Sequence, residues 1–294
     1  VVAALPTRGR SGGPVVMGVV NVTPDSFSDG GRYLDPDAAI AHGLELLREG
    51  ADVLDIGGES TRPGATRPLV AEELGRVVPV IAGLAAEGAV VSVDTMRAEV
   101  AEAAVAAGAA VVNDVSGGLA DAAMLPCVAS SGVTYVAMHW RAHSDRMSRF
   151  TDYGDDVVAT VRSELADRVE SALSAGLAPD RLVLDPGLGF AKTADQSWQL
   201  LAAVSDLSSL GHPLLVGASR KSFLGSLLAD ADGTPRPVDD RETAHVAVLG
   251  HCMRHDVWGV RVHDVRAACD TFRAQGRLGW TDERGAGRWT MSWP

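Results

Sequence analysis

Eight times along the chain a short apolar run stops at a residue that can hydrogen-bond or carry charge. The stops are Asn21, Asp55, Asp94, the pair Asn113 and Asp114, His139, Asp185, the triplet Ser219, Arg220 and Lys221, and Arg261 with His263 just beyond. Any one polar strand end is ordinarily a helix cap, since Asp, Asn and Ser are favoured there. Eight in succession, with Arg and Lys among them, exceed what capping explains. The set mixes acids and amides with basic groups, so it suits a ligand with an anionic end and a neutral hydrogen-bonding end. Arg261 and His263 also precede a helix that opens at Asp264. Helix N-termini bind anions through free N–H groups and the dipole.

The runs that carry these residues are 14–20, 51–56, 89–93, 109–112, 133–138, 181–184, 213–216 and 257–262. Their length and their Val, Ile and Leu content predict buried parallel strands. Between them lie apolar stripes at helical spacing: Ile40, Leu44 and Leu47; Leu74, Val77, Val78, Ile81 and Leu84; Val161, Leu165 and Val169. Such stripes predict helices packed on a sheet. Gly50, Gly88, Gly108, Gly132, Gly176 and Gly211 stand just before the next strand, where a left-handed helix cap is wanted. Eight strands alternating with helices predict an α/β fold closed as a (βα)₈ TIM barrel, with an open doubly wound sheet as the competing arrangement. In a parallel barrel every polar strand end meets on the C-terminal face, where barrel enzymes hold their chemistry. The expected organisation is one catalytic domain over residues 14–275, an N-terminal extension over 1–13 and a C-terminal extension over 276–294. The longest connections, 140–153 and 230–239, are open to disorder.

The net charge of −12 argues against a sequence-independent grip on nucleic acid, which needs a basic face. It leaves room for an anionic small substrate in a local positive pocket. No stretch approaches the roughly 18 uninterrupted apolar residues of a membrane span, and residues 1–14 lack the order of a signal peptide. The three cysteines, Cys127, Cys252 and Cys269, form no C-x-x-C pair, so a reducing cytoplasm is expected and a disulfide framework or zinc site is not. His245, His251 and His255 share one predicted helix outside the ring of strand ends and are assigned to packing or surface. Asp155–Asp156 and Asp239–Asp240 read as solvated acids or helix starts.

Residues 17–31 (MGVVNVTPDSFSDGG) closely resemble the first signature of the dihydropteroate synthases, and residues 55–64 (DIGGESTRPG) resemble the second. In family order follow SVDT at 92–95, NDVSG at 113–117, Met138-His139, DPGLGF at 185–190, GASRKSF at 217–223 and RVHDV at 261–265. The stretch Met138-His139-Trp140-Arg141 is similar to the actinobacterial branch. The resemblance implies a pterin-binding (βα)₈ transferase of folate biosynthesis. It would condense 6-hydroxymethyl-7,8-dihydropterin pyrophosphate with p-aminobenzoate and release pyrophosphate through an SN1-like, cation-like transition state. It also implies Mg²⁺, a homodimer and a sulfonamide target.

Carried over residue by residue, the resemblance gives each strand end a role. Asp94, Asn113, Met138, Asp185, Lys221 and Arg261 would bind the pterin. Asp185 would accept two parallel N–H donors as a fork. Asn113 would donate and accept along the mixed edge. Met138 would pack under the ring and Arg261 stack on it. Thr61, Pro63, Phe190, Ser219 and Lys221 would form the p-aminobenzoate pocket. Asn21, Arg62, Arg261 and His263 would hold the pyrophosphate, with Asn21 as the Mg²⁺ contact. The catalytic set is then Asp94, Arg62, Lys221, Arg261 and His263. Loops 22–31 and 57–66 would fold over the site. Two alternatives share the barrel: a catalytically silent pterin-binding paralogue, and a pterin-dependent methyltransferase that passes methyl to a corrinoid protein. Intact Thr61, Arg62 and Pro63 speak against the first, and Arg62, Arg261 and His263 against the second. A non-enzymatic binding or assembly protein is the third reading, and the ring of strand ends speaks against it.

Overall fold

The structure is a computed structural model and describes residues 5–23, 35–59, 67–143 and 146–279. Eight parallel strands run in the order β6-β5-β4-β3-β2-β1-β8-β7. They are β1 (Val15–Asn21), β2 (Val53–Gly57), β3 (Val91–Asp94), β4 (Val111–Asp114), β5 (Thr134–Met138), β6 (Leu182–Asp185), β7 (Leu215–Val216) and β8 (Gly259–Val262). The remaining gap, between β6 and β7, is bridged by a parallel pairing of Leu184 with Leu214, and Leu184 N donates to Pro213 O at 2.9 Å. The sheet is therefore a closed barrel, as the strand count predicts, and not an open doubly wound sheet.

The helices follow the strands: α1 (Pro36–Glu49), α2 (Val70–Ala86), α3 (Ala98–Ala106), α4 (Met124–Ser131), α5 (Val157–Ser174), α6 (Ala194–Ala202), α7 (Val204–Leu207), α8 (Ser222–Leu227), α9 (Glu242–Arg254) and α10 (Val265–Arg277). The stripes read from sequence face the sheet: Val77, Ile81 and Leu84 of α2 and Val161 and Leu165 of α5 are buried in one apolar cluster with the outward strand residues. All six glycines placed at helix ends take positive φ, between 69° and 120°. Asp156 caps α5 through Ala159 N, and Asp264 caps α10 through Ala267 N at 2.8 Å.

Strand alternation decides which side chains can reach the barrel interior. Val15, Met17, Val53, Val111, Val136, Val183 and Leu215 form an inner cluster, while Val16, Leu54, Val93, Val112, Tyr135, Leu184 and Val260 join the outer one. Counting by twos from the inner residues brings Asp55, Asn113, Met138, Asp185 and Gly217 to the upper interior, and the outward Val260 leaves its neighbour Arg261 facing the same way. The same parity turns Asp114 and His139 outward. The barrel floor is closed from below by the segment before β1. Leu5 joins the inner cluster, the Trp258 indole donates to Pro6 O at 3.1 Å, and Asp52 accepts from Arg10 N and Val16 N.

Residues 230–239 contain a turn in which Asp230 N donates to Thr234 O and Gly233 N to Asp230 O. Residues 140–153, apart from 144–145, are described and include a short 3₁₀ turn at Met147–Arg149. His245 and His251 of α9 and His255 at its C-cap pack: His245 is buried with Nδ1 2.8 Å from Glu242 Oε1, and His251 and His255 reach Leu201 O and Ser205. Among the described residues no helix is long and apolar enough to cross a membrane.

Candidate active site

One cavity opens at the C-terminal end of the strands. Asp94, Asn113, Met138, Asp185, Phe190, Ser219, Lys221, Arg261 and His263 all line it, together with Val115 and Gly217. Every described residue assigned to a ligand from the sequence is on that lining except Asn21. Asn21 ends β1 beside Gly57 and pairs with it in register, and Gly57 pairs in turn with Asp94. Its Oδ1 lies 3.6 Å from the point where a Gly57 side chain would begin, and Asp94 Cβ lies 3.7 Å from the same point. Asn21 is thus a neighbour of the cavity, one strand removed from Asp94. Thr61, Arg62 and Pro63, and most of the two signature loops, lie outside the described residues.

The floor is an ion cluster. Arg261 donates through Nε to Asp55 Oδ2 and through a terminal nitrogen to Asp94 Oδ2 at 2.6 Å. Asn113 Nδ2 donates to the same Asp55 oxygen at 3.0 Å. One guanidinium edge is thereby committed to two carboxylates, and its flat face remains for stacking. Asp55 is fully buried, and its Oδ1 has no partner among the described residues. Burial raises Asp94 to about 7, with Asp55 adding to the rise and Arg261 opposing it. Burial also makes the Arg261 cation harder to hold, but Asp55 and Asp94 more than offset this and keep it protonated.

Asp185 and Lys221 face each other across the cavity. Asp185 Oδ1 accepts from Gly187 N at 2.7 Å, and no hydrogen bond to its Oδ2 forms among the described residues. A side chain at Gly217 would begin 3.9 Å from both Asp185 Oδ2 and Lys221 Nζ and 3.8 Å from Arg261 Cβ. Glycine there keeps the space between the three charges open to a ligand. Burial raises the Asp185 carboxyl against the pull of Lys221. Burial also lowers Lys221, to about 8, while Asp185 holds it up. Lys221 donates to Leu188 O, and its ammonium lies 4.6 Å from the Phe190 ring centroid. Met138, Met96 and Val115 supply an apolar patch, with Phe190 and Trp140 packed on it. At the rim, His263 N donates to Ser219 Oγ at 3.2 Å and His263 Nδ1 lies 3.0 Å from the same oxygen.

Sequence reasoning placed His139 and Asp114 in the ring of strand ends, and the structure turns both away from the cavity. Asp114 gathers Ser116 N, Ser116 Oγ, Gly118 N and Tyr135 OH behind β4. His139 bonds to Glu164 of α5 and to Lys192. Arg220, at φ 63°, also points out and lies 3.9 Å from Asp239. The residue that sequence reasoning left without a role is Asp55. Its signal was available, since it ends an apolar run two residues before a Gly-Gly turn. Its partner Arg261, however, is 206 positions away. Among the described residues no three His, Cys, Asp or Glu side chains converge as a metal cluster. Asn21 offers a single neutral oxygen, which fits a hard ion that takes its remaining ligands from water and phosphate.

A profile of the family described as pterin binding enzyme matches residues 17–263. The chain is 56% identical over 261 residues to the dihydropteroate synthase of Mycobacterium leprae, covering 89% of this chain and 92% of that one. The fold superposes on Xanthomonas albilineans dihydropteroate synthase in complex with 7,8-dihydropteroate with a TM-score of 0.80, at 42% identity, over 92% of this chain and 95% of that one. Against the Yersinia pestis dihydropteroate synthase with a bound sulfonamide drug, the TM-score is 0.84 at 37% identity, over 94% of this chain and 99% of that one. The family profile spans most of the chain, and the chain belongs to the pterin-binding enzymes and, among them, to the dihydropteroate synthases.

Proposed function

We infer that this chain is a transferase that joins 6-hydroxymethyl-7,8-dihydropterin pyrophosphate to p-aminobenzoate, giving 7,8-dihydropteroate and pyrophosphate. The observation that carries the reading is the meeting of Asp94, Asn113, Asp185, Lys221 and Arg261, from five different strands or strand ends, around one cavity. Asp185 Oδ2 would accept from the amino-pyrimidinone edge of the pterin. Asn113 keeps its Oδ1 and one N–H for the same ring after bonding Asp55. Lys221 would donate to the pterin carbonyl or a ring nitrogen, Met138 would support one face, and the Arg261 plane the other.

In the reaction the carbon–oxygen bond between the pterin methylene and pyrophosphate breaks, and its electron pair leaves with pyrophosphate. The methylene is left electron-poor and shares positive charge with the ring. Asp94 would stabilise that charge through space, and a developing cation beside it favours its ionised form. The amine of p-aminobenzoate supplies the pair for the new carbon–nitrogen bond, and its proton passes to solvent. An aniline is already a neutral nucleophile, so no strong general base is needed. Phe190, Ser219 and Lys221, with Thr61 and Pro63 of the second loop, would form the p-aminobenzoate pocket.

Arg62, His263 and the opening turn of α10 would hold the pyrophosphate. Mg²⁺ is the ion we propose for that end, with Asn21 as its protein ligand; it would neutralise charge on the departing group. The family resemblance supports a homodimer, and three free cysteines support a reducing cytoplasm. Incubating the purified chain with both substrates and Mg²⁺ tests the reading: dihydropteroate and pyrophosphate should form in equal amounts. Failure to form dihydropteroate would remove the enzyme assignment.

A further inference from the structure

Behind the cavity wall a second polar cluster takes no part in the reaction as derived above. Lys192 follows the turn over residues 187–190 and is buried. Its nitrogen lies 3.0 Å from Gly187 O, 3.1 Å from Phe190 O and 2.9 Å from His139 Nδ1. An ammonium has three N–H donors and no acceptor, so three acceptors around it match the charged form. That assigns the imidazole as well: Nδ1 accepts, and Nε2 carries the proton and donates to Glu164 Oε2 at 2.7 Å. Arg141 grips the same carboxylate with two nitrogens.

The titration directions of His139 and Glu164 agree with this arrangement, and that of Lys192, pushed well below the ordinary lysine value by burial, runs against it. Burial and Lys192 lower His139 to about 4, which keeps the ring neutral. Burial alone would raise Glu164, but its bonds from His139 and Arg141 prevail and bring it down to about 2. Burial and Lys221 press Lys192 toward the neutral amine, while the charges of Asp185 and Glu164 oppose them. The acceptor geometry favours the cation.

What the ammonium holds is the turn. Gly187, Gly189 and Ala191 have φ of 66°, 75° and 49°. Alanine rarely adopts a positive φ and keeps it only where its surroundings impose it. Phe190 N donates to Gly187 O at 3.0 Å, so that carbonyl is shared between the turn and Lys192. Lys221 holds Leu188 O from the cavity side. Two lysines thus grip one turn from opposite sides, and the turn delivers the Phe190 ring to the cavity lining.

We propose that Lys192 is a positioning residue for the aromatic second substrate: fixed by His139, its ammonium holds the 187–190 turn and thereby sets the Phe190 wall. The proposal rests on the assignment of that wall to p-aminobenzoate. Asp185 is anchored separately by its strand, where its carbonyl accepts from His139 N at 2.8 Å. Gly187 N, inside the turn, also holds Asp185 Oδ1, so the pterin floor feels Lys192 through that one bond and through its charge, and less directly than the Phe190 wall does.

Steady-state kinetics of Lys192→Met, with p-aminobenzoate varied at saturating pterin pyrophosphate and Mg²⁺, test it. The KM for p-aminobenzoate should rise about tenfold, while pterin pyrophosphate affinity by calorimetry stays within about threefold. His139→Asn places an oxygen where Nδ1 accepts and should keep KM near the wild-type value. His139→Phe removes the acceptor and should reproduce the rise. An unchanged KM in Lys192→Met overturns the proposal, and so does an equal loss of pterin affinity, which a merely structural residue would give. If Lys192→Met does not fold, the two His139 variants decide by the same criteria. A wild-type chain that makes no dihydropteroate would overturn the underlying assignment, a result distinct from failure of the variants alone.

Discussion

Replacing Asp185 by Asn tests the cavity floor more sharply than removing the side chain. Asp185 Oδ1 accepts from Gly187 N at 2.7 Å, a bond that an amide oxygen can keep. That N–H also orients the new amide, because turning it over would bring two donors together. The NH₂ group then replaces Oδ2 and faces the N–H donors of the pterin. One charge-assisted hydrogen bond worth about 1.5–3 kcal/mol is lost, and an unpaired buried donor costs about 1–3 kcal/mol more. The expected sum of about 2.5–6 kcal/mol weakens pterin pyrophosphate binding by roughly two to four orders of magnitude. The fold should not suffer. Burial raises the folded pKa of Asp185, so its stabilising contribution is full below the unfolded value and is lost as pH rises through the raised one. A neutral amide avoids that loss, and the melting temperature at neutral pH should match or exceed that of the wild type. Calorimetric titration with pterin pyrophosphate, paired with a thermal melt, reads both quantities. Affinity within about fivefold of wild type, in a variant that melts normally, would refute the fork.

Asp94, raised to about 7, gains its charge through neutrality. The wild-type kcat/KM should therefore fall on the acid side of about 7, and Asp94→Asn should abolish that limb along with about 10²-fold of kcat/KM. Because Asp94 contributes stability below its unfolded value of 3.8 and loses it as pH rises through about 7, thermal melts of Asp94→Asn should gain on wild type above that pH. Asp55→Asn leaves Arg261 with Asp94 as its charged partner and should cost about 1.5–3 kcal/mol in denaturant unfolding; an unchanged midpoint would remove Asp55 from the cluster. Arg62→Ala should lower kcat about 10²-fold while pterin affinity holds, and an equal loss in both would contradict a role on the leaving group.

Asp185, Lys221 and Arg261 were legible because each ends an apolar run inside a family motif, and a closed parallel barrel brings all such ends to one face. Strand parity was harder to read. Asn113 and Asp114 are adjacent polar residues at the end of β4, and only the register of the whole barrel determines that the first faces the cavity and the second Tyr135. His139 illustrates the same difficulty, since Met138 takes the inward position and leaves the imidazole to α5. The link from His139 to Lys192 spans 53 positions, and that from Arg261 to Asp55 spans 206. Such pairings come from tertiary packing, and local patterns carry no trace of them. Asn21 was read as a strand end correctly, but β1 places it beside the cavity lining.

The distribution of charge along the cavity explains how an acidic protein can handle a highly anionic substrate. Asp55, Asp94 and Asp185 against Arg261 and Lys221 leave the floor with an excess of negative charge when all are ionised. The rim has the opposite character, with His263 directly ahead of the α10 N-terminus, whose dipole favours anions. A bound pterin pyrophosphate would span this gradient with its ring over the carboxylates and its phosphates at the rim. As the carbon–oxygen bond breaks, the ring end gains positive charge and the leaving end gains negative charge. The field of the site is therefore better matched to the separated charges than to the intact substrate, which is the condition for catalysis rather than mere binding. Reversing either end, by removing a floor carboxylate or the His263 imidazole at the rim, should act on kcat more than on ground-state affinity, except at Asp185, whose hydrogen bonds form before any charge has moved.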